Sequence, residues 1–216
     1  MRVVCIVQAR MGSRRLPGKV LLPLHGRTVI EEVLSRCWRI RGIDEVICAI
    51  PMGDERLRQV ASRHSRVYSG SELDVLARYA AAAEWAGADI IMRITGDCPM
   101  IQPEICEFVL ANLGDADYAS NVEPRTVPQG LDCEVFTMDV LRRADREAGK
   151  DEREHVTTWM RRSSAVKRVS IHYCIDTAED YERHKAFEHL SMGNEPKSRI
   201  IQFAPRAGGD KQHKPS

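Results

Sequence analysis

Residues 8 to 19 concentrate chemistry suited to phosphate. Gln8-Ala9-Arg10-Met11-Gly12-Ser13-Arg14-Arg15-Leu16-Pro17-Gly18-Lys19 holds three arginines, a lysine, two glycines and a serine, directly after the apolar run Val3 to Val7. Guanidinium forks match phosphate oxygens, and glycines let backbone N–H groups approach an anion. With Val3 to Val7 as a strand, the loop stands at its carboxyl end, where open α/β sheets place ligands. Two familiar phosphate motifs are excluded. Gly12 and Gly18-Lys19 lie one residue too far apart for a P-loop, and Val20 replaces its hydroxyl residue. There is also no G-x-G-x-x-G. A solvated basic loop could share this composition, but its concentration at a strand end favours binding.

Acids and partners follow at later strand ends. Asp97 lies in Thr95-Gly96-Asp97-Cys98-Pro99 after the apolar run Ile90 to Ile94, and Asp176 follows Cys174-Ile175. A turn residue and a helix N-cap would account for them. So would two carboxylates for magnesium, which takes one or two such ligands alongside phosphate oxygens. Gly70-Ser71 stands between a strand and a helix, where Ser71 could cap the helix or backbone groups could read a base edge. Arg93, late on a buried strand, needs a carboxylate or phosphate partner. Asp132 and Glu134 are two apart, so on a strand they face the same side. Glu154-His155 opens a predicted helix; His155 fits either a general base or a partly buried structural histidine.

The elements that must position these residues alternate between β-rich runs and amphipathic helices, an α/β pattern. Strands are predicted at Val3 to Val7, Glu45 to Ile50, Val67-Tyr68, Ile90 to Ile94, Tyr118 to Ser120, Leu131 to Phe136 and Val166 to Ile175. Helices are predicted at Val29 to Ile40, Asp54 to His64, from after Ser71 to Trp85, Pro103 to Asn112, Val140 to Ala148, Arg153 to Arg162 and Asp176 to Leu190. Thr28 with Glu31 three residues on is a capping box that fixes the start of the first helix. The pattern predicts one doubly wound domain over 1–204 with an irregular subregion at about 117–170. The tail, 205–216, has almost nothing to bury and is expected to be disordered.

Composition closes off other classes. Of 216 residues, 43% are apolar and 29% charged, and the net charge is +1, so any anion site comes from local arrangement rather than bulk charge. A nucleic-acid coat and a cationic membrane surface are not expected. No run approaches the roughly 20 apolar residues of a membrane span, and the first apolar run is too short for a signal-peptide core. Seven cysteines include no C-x-x-C pair; most sit in apolar runs or on helical faces, as small hydrophobes do. A reduced, cytoplasmic protein without a zinc site is expected.

The loop from Gln8 to Lys19, continuing as Val20-Leu21-Leu22-Pro23-Leu24, resembles the signature of sugar-activating nucleotidyltransferases. More closely, it is similar to the cytidylyltransferase-like family of spore-coat polysaccharide biosynthesis proteins, related to the enzymes that make CMP-linked octulosonic and nonulosonic acids. The resemblance continues through Gly70-Ser71-Glu72-Leu73-Asp74-Val75-Leu76-Ala77-Arg78-Tyr79, Arg93-Ile94-Thr95-Gly96-Asp97-Cys98-Pro99 and Asp117-Tyr118-Ala119-Ser120-Asn121. It extends to Pro128-Gln129-Gly130-Leu131-Asp132-Cys133-Glu134-Val135-Phe136 and Glu152-Arg153-Glu154-His155-Val156-Thr157. Together these span Arg2 to about Leu190, and their order is highly specific. Gln129 departs from the pattern, where an Asp is expected.

The resemblance implies a single Rossmann-like nucleotidyltransferase domain, a mostly parallel central sheet with helices on both faces, acting as a homodimer. It implies CTP and an anionic small-molecule acceptor as partners, Mg2+ as cofactor, and Asp97 and Asp176 as its ligands. Arg10, Arg15 and Lys19 would be catalytic, with the Gly12-Ser13 amides stabilising phosphate charge. Gln8, Ala9, Arg10, Met11, Gly12, Ser13, Gly70, Ser71, Asp74 and Arg93 would hold the nucleotide. Asn121, Gln129, Asp132, Glu134, Glu154 and His155 would face the acceptor. A different base, a phosphonate acceptor or a non-catalytic nucleotide-binding subunit are the alternatives.

Overall fold

The apolar run at the N-terminus is buried on both faces, as a central parallel strand requires. In a computed structural model, which describes residues 1–171 with Tyr173, Ala178, Tyr181, Glu182 and His184, this run forms β1 (Val3–Gln8). A small hairpin of β2 (Pro23–Leu24) and β3 (Arg27–Thr28) follows, then α1 (Val29–Cys37) and β4 (Glu45–Pro51). Next come α2 (Glu55–Ala61), β5 (Arg66–Gly70), α3 (Val75–Ala86), β6 (Ile90–Thr95) and α4 (Pro103–Ala111). The second half holds β7 (Tyr118–Ser120), β8 (Glu134–Thr137), α5 (Met138–Glu147), α6 (Thr158–Arg162) and β9 (Arg168–Ser170).

The strands form one seven-stranded sheet in the order β5-β4-β1-β6-β8-β7-β9. All pairings are parallel except those of β8, which runs against both β6 and β7. Side-chain alternation sorts β1 between two cores. Cys5 and Val7 join Val33, Leu34, Leu57 and Phe108 of α1, α2 and α4. Val4 and Ile6 join Leu76, Tyr79, Leu141 and Trp159 of α3, α5 and α6. Helices thus cover both faces, as expected, and Cys5, Cys37, Cys48, Cys106 and Cys133 are buried free thiols within the packing. From β1 the chain moves outward to β4 and β5, then returns to β6 on the other side. That reversal opens a crevice at the carboxyl ends of β1 and β6.

Local signals held where they were strongest. Thr28 and Glu31 form the capping box, with Thr28 N donating to Glu31 Oε2 at 2.8 Å. Three expectations are corrected. The cap of α3 is Asp74, which accepts from Ala77 N at 2.9 Å; Ser71 Oγ accepts from Asp74 N instead, because the helix starts four residues later than Ser71. The strand expected from Leu131 begins only at Glu134. The buried Asn121 side chain takes the Leu131 carbonyl at 3.0 Å and the Cys133 amide at 2.9 Å, replacing the ladder there, and Asp132 pairs with Arg125. Asp132 and Glu134 therefore do not share a strand face.

Glu154-His155 does not open a helix either, since α6 starts at Thr158. The Arg153 carbonyl accepts from Leu76 N at 3.0 Å, and its guanidinium pairs with Asp74 and Asp145, which bends this segment onto α3. The expected final helix lies mostly outside the described residues, and Asp176 and the tail from residue 205 wholly so. Among the described residues no helix is long and apolar enough to cross a membrane.

Candidate active site

The crevice at the switch point holds a cavity of about 370 Å³. The loop after β1 forms one wall and closes around a single carbonyl, Met11 O, which accepts from both Ser13 N and Gly18 N at 2.9 Å. Met11 N donates to Asp54 Oδ2 at 3.1 Å, and the Met11 side chain packs into the core below. The Ser13 amide is thus taken up by the loop's own turn, so an anion there would have to compete with Met11 O for it.

Arg10, Arg14, Arg15 and Lys19 line this wall, and Lys19 is ion-paired with Asp97 across the cavity. Burial raises the Asp97 carboxyl, but hydrogen bonds from Lys19 and Thr95 outweigh it, leaving the pKa below the usual aspartate range. The loops after β1 and β6 touch directly, with Gly96 N donating to Gln8 O at 2.8 Å. A Cβ at Gly96 would lie 2.8 Å from Ala9 Cβ and 3.0 Å from Gln8 O. Only glycine fits this approach. Gly96→Ala should destabilise the fold by about 1–3 kcal/mol and spread Asp97 from Lys19. Urea unfolding reads the first effect, and a parental midpoint would show that the loops can part freely.

Arg93 reaches the cavity floor from β6. Its Nε donates to Gln8 Oε1 at 3.1 Å, and Nη1 is paired with Glu134. The first residue of β8 meets the late part of β6 because β8 is antiparallel, in register Arg93↔Glu134. Tyr118 Oη donates to Glu134 Oε1 at 2.5 Å. Burial raises the Glu134 carboxyl, yet the Arg93 charge and the Tyr118 bond leave it lowered overall. The carboxylate partner required for Arg93 is therefore Glu134.

Of the anticipated residues, Gln8, Ala9, Arg10, Ser13, Arg15, Lys19, Arg93, Asp97, Glu154 and His155 converge on the cavity. Arg10 also meets Glu154 at 3.4 Å, joining loops 144 residues apart. Met11, Gly12, Gly70, Ser71, Asp74, Asn121, Gln129, Asp132 and Glu134 are not among its lining. Asp74 is a helix cap and Arg153 partner, Asn121 holds the turn before β8, and Glu134 is buried behind Arg93. Sequence reasoning did not single out Val20, Val75, Arg78, Thr95 or Gly96 as lining residues, and it named Arg14 only among the cations of the loop. A signal existed for Arg78, which shares the buried face of α3 with Val75, Tyr79 and Ala82 at helical spacing. Among the described residues no group of three or more His, Cys, Asp or Glu could hold a metal ion. Asp97 is one carboxylate at the cavity.

The sequence pattern of the cytidylyltransferase family matches residues 4–203. The spore coat polysaccharide biosynthesis protein SpsF of Bacillus subtilis is 32% identical, over 90% of this chain and 89% of its own. A cytidylyltransferase structure from Leptospira borgpetersenii superposes with a TM-score of 0.75 at 29% identity, covering 88% of this chain and 94% of that one. A CMP:2-keto-3-deoxy-manno-octonic acid synthetase complexed with CTP shares the fold, with a TM-score of 0.62 at 20% identity over 89% of this chain and 100% of that one.

Proposed function

The chain belongs to the cytidylyltransferase family, and we propose that it moves CMP from CTP onto a sugar acid or related anion, releasing pyrophosphate, in polysaccharide or related biosynthesis. One observation carries this reading. Four cations of the β1 loop converge on the cavity that also holds Asp97, at the crevice where this sheet topology places ligands. The relatives support the finer statements, since one is a spore coat polysaccharide protein and another is a sugar-acid synthetase complexed with CTP.

An acceptor oxygen attacks the α-phosphorus while the bond to the pyrophosphate oxygen breaks, and negative charge grows on the leaving group. Arg10, Arg15 and Lys19 hold the phosphates in line and stabilise that charge. Arg93, neutralised by Glu134, offers hydrogen-bond donors without net charge. Glu154 and His155 form the wall assigned to the acceptor.

Magnesium fits Asp97, the carboxylate paired with Lys19 at the cavity. Asp97 would hold it, with Asp176, which lies outside the described residues, as the second carboxylate the resemblance implies and the remaining ligands coming from phosphate and water, which suits an ion that takes few protein carboxylates. When bound there it supplies Lewis-acid neutralisation of phosphate oxygens.

Pyrophosphate release from CTP, measured with octulosonates, nonulosonic acids and phosphonates as acceptors, tests the proposal. Release is expected with at least one of these anions and with CTP above UTP or GTP. Release with UTP or GTP alone would overturn the base, and release with none of the anions would overturn the acceptor class.

A further inference from the structure

Arg78 is an unusual lining residue. Its residue is only 2% exposed, and its guanidinium hydrogen-bonds the Ser71 carbonyl. Nε is buried with no partner, and among the described residues no carboxylate forms an ion pair with it. The acid that acts on it electrostatically, Asp54, spends an oxygen on the Met11 amide. Burial pushes the guanidinium below its ordinary pKa, and the Arg10 charge adds to that effect. A buried cation left in this state is costly, and a site tolerates it where a ligand supplies the missing acceptors.

Its place in the sheet says which part of a nucleotide that is. The order β5-β4-β1-β6 puts the Lys19–Asp97 pair at the β6 end of the cavity and Arg78 at the β5 end, beneath Gly70. A Cβ on Gly70 would stand 2.9 Å from Arg78 Cγ, so the absent side chain makes room for the arginine. Beside Arg78, one helical turn before it on α3, Val75 lines the cavity with an apolar surface, which suits a planar ring better than a phosphate. The phosphates have the loop cations.

We propose that Arg78 reads the O2–N3 edge of the cytosine ring and sets the preference for CTP over UTP. This rests on the cytidylyltransferase reading and names a specificity residue within it. A guanidinium is all donors, and cytosine presents two adjacent acceptors at O2 and N3. Uracil carries a hydrogen on N3, so donor faces donor and one bond is lost.

Calorimetric titration of CTP and of UTP, with magnesium, into the unmodified protein and Arg78→Met tests this. Methionine fills similar volume, favours helix and removes the buried charge, so the variant should melt at or above the parental temperature without nucleotide. CTP affinity should fall roughly 10- to 100-fold, while UTP affinity changes by less than about threefold. A purely structural Arg78 would leave the CTP-to-UTP ratio at its parental value, and that result overturns the inference alone. Equal losses for CTP and UTP would also overturn it, assigning Arg78 to phosphate or ribose. An unmodified protein that binds both nucleotides alike overturns the cytidine reading, and the inference falls with it. If Arg78→Met does not fold, Gly70→Ala displaces the same arginine without removing it. It should lower the CTP-to-UTP ratio, and an unchanged ratio there overturns the inference.

Discussion

Asp97→Asn should fold and melt almost as the parent does and lose turnover by roughly 10²- to 10³-fold or more. Asn fits a Gly/Pro turn about as well as Asp, so a residue that merely shapes the turn would tolerate the swap. What disappears is the charge. The side chain is 39% exposed and ion-paired with Lys19, so the loss of that pair has little weight for stability. Because Lys19 and Thr95 hold the carboxyl below the usual range despite its burial, Asp97 is ionised through the neutral pH range. A hard cation needs that charge, so the magnesium concentration giving half-maximal activity should rise in the variant. The same substitution at Asp176 should give the same pattern if that residue is the second ligand. Pyrophosphate release at varied magnesium reads both effects. Near-parental turnover at ordinary magnesium would return Asp97 to the role of turn residue.

Glu134→Gln should act on the fold rather than on the reaction alone, with a loss of about 3–5 kcal/mol. Glutamine keeps the shape but leaves Arg93, whose side chain is 15% exposed, as an uncompensated buried charge. The Tyr118 hydroxyl would also exchange a charged acceptor for a neutral one. The effect carries a pH signature. Glu134 has a folded pKa below that of the unfolded chain, so its stabilisation is fully present above an unfolded value of about 4.3 and is lost as pH falls through the folded value. The stability gap between parent and variant should therefore be full at neutral pH and shrink in acid. Urea midpoints across pH measure it, and a gap below about 1 kcal/mol at pH 7 would show that Arg93 finds other compensation.

The amino-acid sequence by itself determined the features whose causes lie within a few residues. Thr28 and Glu31 close a capping box three positions apart, and that bond forms wherever the helix goes. Val3 to Val7 is apolar on both faces, which demands a buried central strand. The β1 loop carries its arginines, lysine and glycines contiguously, so its suitability for an anion was legible before its shape. Even there the shape decided something: Met11 O takes the Ser13 amide, and composition does not say which amides a turn consumes.

Only the tertiary structure decided which distant charges meet. Arg93 and Glu134 are 41 residues apart and face each other because β8 pairs antiparallel with β6 in that register. Arg153 and Asp74, 79 apart, bend the Glu154-His155 segment onto α3 and prevent the helix its own residues favour. Arg78 sits on a helical face that reads as core, and its value as a ligand group depends on Gly70 leaving room above it. The physical reason is common to all three. Capping and periodicity are satisfied by near neighbours, whereas a buried charge is stabilised only by whatever the packing brings to it, and strand order and register set that.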